Sequence, residues 1–134
     1  MLKNIFVEEK ITGVEETVGI LNGKAMPIIE IIPPVGKWFS YKYKYSGETK
    51  EIPNAPSVKP ATRKKLQEIS LTIHKHFNLG TYSRIDFMVA NEIPYAIELN
   101  TIPGLTAESL FPKGAKAAGI DFKTFIKTLV SSAE

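Results

Sequence analysis

The sequence predicts an α+β fold. Three observations carry this reading: a first third of β-forming runs separated by turn residues, a helix-period stretch after Lys59, and two further β-forming runs followed by a last amphipathic stretch. The chain has 134 residues, 43% hydrophobic and 23% charged. Domains of roughly 100 to 150 residues are the commonest, and a chain this long buries about two thirds of its unfolded surface, so one domain is expected and a disordered tail is excluded.

The elements follow in order. Asn4 to Ile11, Val14 to Leu21 and Ala25 to Ile32 each read as a strand, with Thr12-Gly13 and Asn22-Gly23 between them. Asn-Gly between two such runs is the strongest short hairpin signal. Pro33-Pro34 ends the third run, because proline cannot donate to a ladder. Gly36 to Pro56 reads as one long irregular stretch, which inside a compact domain is usually functional. A helix starts near Pro60, with Leu66, Ile69, Ile73 and Phe77 on one face and Gly80 as its breaker. Tyr82 to Val89 and Tyr95 to Asn100 are strands joined by a polar turn. Asp121 is a good N-cap for a last helix striped by Phe122, Phe125, Ile126, Leu129 and Val130, with Ser131 to Glu134 fraying from its end. The sequence holds no internal repeat or inter-domain linker.

Charge and composition narrow the function. There are 17 basic and 14 acidic residues, a formal charge of +3, with the lysines dispersed, so composition does not imply nucleic acid. The absence of cysteine removes disulfides, Cys-ligated zinc and thiol nucleophiles together. No run of about 18 apolar residues exists, and Glu8 and Glu9 stand where a signal peptide would be apolar. A soluble, cytoplasmic protein with no membrane association is expected.

Residues two apart on a strand share a face, so Arg84, Asp86 and Met88 oppose Ile85, Phe87 and Val89, and Glu98 and Asn100 oppose Ile97 and Leu99. Paired as an antiparallel hairpin, these strands would display a guanidinium, two carboxylates and an amide together. Such oxygen donors suit Mg²⁺ beside a phosphate, and Arg84 suits an oxyanion; an Arg84 to Glu98 ion pair on a solvated face is the alternative. Asn100 to Thr106 is a turn in which Gly104 lets backbone approach a ligand, with hydroxyls at Thr106 and Ser109; it also reads as a plain connection. Trp38 to Tyr45 interleaves aromatic and basic residues, as a single-strand nucleic-acid groove, a loop closing over phosphates or an amphipathic edge strand would. His74 and His76 diverge by about 200° on a helix and cannot share a metal, so both are expected to be exposed. Glu8, Glu9 and Glu15, as bare carboxylates, read as solvated surface.

Taken together, Val7-Glu8-Glu9-Lys10-Ile11-Thr12-Gly13-Val14-Glu15, Lys44-Tyr45, Arg84-Ile85-Asp86-Phe87, Ile97-Glu98-Leu99-Asn100-Thr101-Ile102-Pro103-Gly104-Leu105-Thr106 and Ser109-Leu110-Phe111-Pro112 resemble the C-terminal part of the D-alanine:D-alanine ligases, which are ATP-grasp enzymes. The similarity runs in order from about Ile5 to the end. It implies the ATP-grasp large lobe, a mainly antiparallel sheet with flanking helices, incomplete relative to the whole family fold. Residues 1–134 would be the C-terminal part of the ATP-grasp domain. The N-terminal substrate domain and the small lobe with its Gly/Ser-rich phosphate loop would be absent, so the chain would carry one jaw of the site.

The resemblance also implies roles. The family joins two D-alanines at the expense of ATP through an acyl phosphate, making a peptidoglycan precursor. Asp86, Glu98 and Asn100 would hold Mg²⁺, or Mn²⁺, and Arg84 would stabilise charge on the acyl phosphate and the tetrahedral intermediate. Gly104, Ser109 and Leu110 would receive the second D-alanine. Glu8, Glu9, Lys10 and Ile11 match the stretch that receives adenine, and Glu15 the carboxylate that receives ribose. Lys44 and Tyr45 match the pair on a loop closing over the phosphates. Departures from the family pattern are Ser40, Glu16 and Ile102, which stand where an acidic or amide, an apolar, and an Asn or Ser side chain are usual. The expected whole is a ligase fragment, inactive alone, whose partners are D-alanine, the missing lobes and further copies in a homo-oligomer; the alternative is a non-catalytic ATP-grasp remnant.

Overall fold

The computed structural model describes residues 5–37 and 48–132. Lys44 and Tyr45, with the rest of the aromatic and basic stretch from Trp38, lie outside the described residues. Among the described residues the strands are β1 (Val14–Leu21), β2 (Lys24–Ala25), β3 (Ile29–Ile32), β4 (Lys50–Pro53), β5 (Tyr82–Ala90) and β6 (Ile93–Asn100). The helices are α1 (Pro60–His76), α2 (Leu110–Ala117) and α3 (Phe122–Ser131). The sheet runs β4-β3-β1-β5-β6, with β2 also on β1, and every pairing is antiparallel. The α+β expectation holds.

Local chemistry explains the connections. Asn22 and Gly23 both take positive φ, 47° and 68°, so β1 and β2 are joined by the expected tight hairpin turn. The expected third strand is interrupted: Pro27 cannot donate, and the register moves from Ile20 opposite Ala25 to Thr17 opposite Ile29. Asn91 and Glu92, at 52° and 65°, make a second two-residue turn, so β5 and β6 reach one residue further at Ala90 and two further at Ile93 than the sequence suggests. Pro94 is tolerated because β6 is an edge strand.

Two expectations about the strands are corrected. Residues 5–12 form no strand and stand exposed apart from half-buried Ile11, with Phe6 84% accessible: β-forming side chains make a strand only where a neighbour accepts their ladder. The stretch expected to be irregular contains β4, which pairs with β3 from Pro53 opposite Ile29 to Lys50 opposite Ile32.

The α1 helix starts at Pro60 as expected, but its end and buried face differ. Asn78, with φ of 50°, closes it: the Leu79 N–H donates to the His74 carbonyl at 3.1 Å and the Asn78 N–H to that of Lys75 at 3.2 Å. Gly80 comes two residues too late to end it, and Phe77 is exposed. The most buried positions are Thr62, Leu66, Ser70 and His74, with Ile69 and Ile73 half-buried beside them. His74 is therefore not exposed. Its Nδ1 lies 2.7 Å from Ser83 Oγ and its Nε2 3.1 Å from the Gly80 carbonyl, which satisfies both ring nitrogens in the core.

Helices cover both faces of the sheet. On one, Leu66 of α1 joins Val18, Ile20, Ile85, Phe87 and Val89 in the larger core cluster. On the other, Phe111 and Ala115 of α2 and Phe125 of α3 close over Leu21 and Met26. Gly19 permits this approach, since a Cβ there would stand 2.3 Å from Met26 Cε and 3.2 Å from the Phe111 ring. Asp121 caps α3 as expected, its Oδ1 accepting from the Thr124 N–H at 3.0 Å. Among the described residues no helix is long and apolar enough to cross a membrane.

Candidate functional site

The β1–β5–β6 register gathers the charged side chains expected to share a face. Thr17 lies opposite Asp86 and Gly19 opposite Arg84, while Asp86 faces Glu98 and Arg84 faces Asn100 across β6. Directly opposed residues in an antiparallel pair point the same way, so Arg84, Asp86, Glu98 and Asn100 display together on the face that α2 partly covers. A β-bulge between Asp86 and Phe87 resets the ladder just beyond this group.

Arg84 and Asp86 are 3% and 6% exposed and bind each other, Nε to Oδ1 at 2.9 Å and Nη2 to Oδ2 at 2.7 Å. The Thr17 hydroxyl donates to the same Oδ1 at 2.5 Å. The ion pair considered from sequence thus forms with Asp86 and not with Glu98. Burial works against the Arg84 charge, but the Asp86 carboxylate, with Glu98 and Glu15 in range, outweighs it and raises its pKa. A guanidinium fixed by planar, bidentate contact is a preorganised positive charge.

Beside this pair lies a cavity of about 230 Å³ lined by Glu51, Arg84, Asn100, Ile102, Gly104, Glu108, Ser109 and Leu110. Five residues singled out from sequence, Arg84, Asn100, Gly104, Ser109 and Leu110, meet there. Gly104 leaves room for the Ser109 hydroxyl: a Cβ would stand 2.7 Å from Ser109 Oγ, which would have to turn aside. Ser109 is the N-cap residue of α2, but its side chain makes no capping bond and lies 2.9 Å from Thr106 Oγ1. The first N–H groups of α2 are therefore left without a side-chain cap, at a helix start whose Ser109 and Leu110 line the cavity.

A second, larger opening of about 810 Å³ is bounded by Lys10 to Glu15, by Glu30 to Pro33, and by Gly36, Lys37, Ser57 and Met88. It collects Lys10, Ile11 and Glu15; Glu8 and Glu9 stand exposed upstream and do not line it.

Sequence reasoning missed several residues here. Thr17 holds Asp86, and the β1 alternation that pairs it with Glu15 on one face was its available signal. Lys113 Nζ bridges Glu51 Oε2 at 2.6 Å and Glu108 Oε2 at 3.2 Å, tying β4 to the loop before α2. Burial opposes its charge, yet the bond to Glu51 raises its pKa. The Glu51 contact, 62 positions away in sequence, leaves no local signal. Among the described residues no three His, Asp or Glu side chains cluster together.

Comparison with known proteins bears on this geometry. The family described as the D-ala D-ala ligase C-terminus matches residues 2–131. A D-alanine–D-alanine ligase of Aquifex aeolicus is 43% identical over 130 residues, covering 96% of this chain and 44% of that protein. One of Maridesulfovibrio salexigens is 42% identical over 126 residues, covering 92% and 41%. Among solved structures, that of the Bacillus anthracis D-alanine–D-alanine ligase complexed with ATP superposes with a TM-score of 0.77 at 32% identity, covering 93% of this chain and 39% of that one. The ligase from Coxiella burnetii superposes with a TM-score of 0.75 at 26% identity, covering 94% and 33%. The chain spans about two fifths of the length of the curated relatives it matches.

Proposed function

The chain belongs to the D-ala D-ala ligase C-terminus family, and on that premise we propose that it supplies one face of the active site of an ATP-dependent D-alanine:D-alanine ligase of peptidoglycan precursor synthesis. The observation that carries this reading is the convergence of Arg84, Asn100, Gly104, Ser109 and Leu110 on one 230 Å³ cavity beside the Asp86 and Glu98 carboxylates. The second D-alanine would lie in that cavity. Its carboxylate would meet the Ser109 hydroxyl and the N–H groups at the start of α2, with Gly104 leaving room. Arg84 would face the acyl phosphate of the first D-alanine, its charge already oriented by Asp86, and would stabilise the oxyanion that develops as the amine attacks. Adenine and ribose would occupy the larger opening, using Lys10, Ile11 and Glu15 with Glu8 and Glu9 upstream, and Lys44 and Tyr45 would close over the phosphates and exclude water.

The donor set fits Mg²⁺ or Mn²⁺. Asp86 accepts three hydrogen bonds, two at Oδ1 and one at Oδ2, and a carboxylate has about four lone-pair sites, so Oδ2 retains one beside Glu98 and Asn100. When bound with nucleotide, the ion would neutralise phosphate charge.

The rest of the ligase, including the lobe that grips the phosphates from the other side, would be this chain's partner. Isolated, the 134-residue chain should therefore release no phosphate in response to ATP and D-alanine together. Phosphate release dependent on both, in a preparation free of host ligase, would overturn the one-jaw reading.

A further inference from the structure

Glu16 is the anomaly of the core. It is 0% exposed on the β1 face that packs on α1, and neither carboxylate oxygen has a hydrogen-bond partner. Its neighbours are defined. Glu30 lies directly opposite on β3, its Oε2 accepting from the Ser57 N–H at 2.9 Å and its Oε1 from the Ser57 hydroxyl at 2.5 Å. Arg63 faces the group from α1, with a buried Nε that also lacks a partner, while its Nη1 donates to the Asn54 carbonyl at 2.9 Å. On β5 the register partner is apolar Phe87. Glu92 of the β5–β6 turn is engaged elsewhere, accepting from the Thr62 hydroxyl and from the Lys59 N–H at the start of α1.

The Glu16 carboxylate and the Arg63 Nε thus each lack a partner and do not bond each other, although the Arg63 charge acts on Glu16. Arg63 is held instead on a backbone segment whose Asn54 and Ala55 take φ of 69° and 41°, a conformation that L side chains rarely adopt. That segment leads to Ser57, which with Glu30 borders the 810 Å³ opening.

We propose that Glu16, Glu30 and Arg63 form a proton-operated latch on that opening. With Glu16 protonated, the core holds a neutral acid and Arg63 stays on the Asn54 carbonyl. When Glu16 loses its proton, its new charge meets Glu30 on one side and draws Arg63 on the other, so Arg63 leaves the Asn54 carbonyl and the 54–57 turn, still tied to Glu30 through Ser57, loses that anchor. Burial, then the Glu30 charge, push the Glu16 carboxyl up to about 8, with Arg63 acting in the opposite direction, so the latch operates just above neutrality. The link to nucleotide rests on the reading of the opening as the nucleotide site; the latch itself does not.

The test is a pH titration of the Ser57 amide by NMR in the 134-residue chain without nucleotide, from about pH 5 to about pH 9. Wild type should show a transition with a midpoint near 8, and Glu16→Gln should show none. The same transition in Glu16→Gln, or none in wild type, overturns the latch. Should Glu16→Gln not fold, Arg63→Gln serves: removing the cation that favours the ionised acid should move the midpoint upward, and an unmoved or lowered midpoint overturns the proposal. The folded state keeps a proton that the unfolded chain releases near 4.5. The unfolding constant in urea should therefore rise by on the order of 10²-fold or more between about pH 5 and about pH 8 in wild type relative to Glu16→Gln. A nucleotide titration of the same samples tests the pocket reading separately, so either idea can fail alone.

Discussion

Arg84 and Asp86, two residues apart on β5, lie on the same face and close a bidentate pair at 2.9 and 2.7 Å beneath the candidate site. Their neighbour Thr17, from β1, completes the Asp86 shell. The pair is buried, so its halves depend on each other.

Asp86→Ala should accordingly cost about 3–5 kcal/mol, because it strips the buried Arg84 charge of its hydrogen-bonded counterion. Urea denaturation at neutral pH measures this. A loss well under about 1 kcal/mol would mean that water enters and solvates Arg84 in the variant.

Gly19→Ala should destabilise by about 1–3 kcal/mol through overpacking. The added methyl meets Met26 Cε at 2.3 Å, which can swing aside, and the Phe111 ring at 3.2 Å, which is locked against Phe125 with ring centroids 5.4 Å apart. A thermal midpoint equal to wild type would show that α2 shifts freely on the sheet.

Asp121 supplies the acid-side pH dependence. Hydrogen bonds from the Thr124 hydroxyl and then the Thr124 N–H hold its carboxyl below the usual range. A depressed carboxylate contributes stability that is present above its unfolded pKa and lost as pH falls through the folded one. Helix α3 should therefore loosen on acidification, and Asp121→Asn should flatten that part of the acid profile of unfolding.

Within a complete ligase containing this chain, Gly104→Ala should raise KM for the second D-alanine, since its methyl displaces Ser109 Oγ from 2.7 Å. Arg84→Ala should lower kcat on the order of 10²-fold or more by removing charge aimed at the transition state. Tyr45→Phe should lower turnover by disturbing closure, and nucleotide affinity should survive both the Arg84 and the Tyr45 changes. Steady-state kinetics with each substrate varied separate these outcomes; unchanged KM in Gly104→Ala would place the second substrate elsewhere.

Much of this was legible in sequence because it is local. The period-2 alternation of β5 and β6 placed Arg84 with Asp86 and Glu98 with Asn100. The Asn22-Gly23 and Asp121 signals marked a turn and a cap that the structure has, since both rest on the conformational preferences of one or two residues. The motif order from Val7 to Pro112 identified the family that residues 2–131 match.

What the sequence determined by itself was therefore the period of each element, the turns between them and the residue types available for chemistry. Tertiary structure alone decided which elements found partners. Among the described residues the β-forming segment 5–12 has no ladder partner and is not a strand, whereas Lys50–Pro53 became one beside β3. Tertiary structure also decided which polar groups went inside. His74 is buried because Ser83 and the Gly80 carbonyl satisfy it, Arg84 chose Asp86, and Glu16 was enclosed between Glu30 and Arg63. Ladder bonds and desolvation are properties of a group's surroundings in space, and those surroundings come from residues far away in sequence, 69 positions for Thr17 and Asp86.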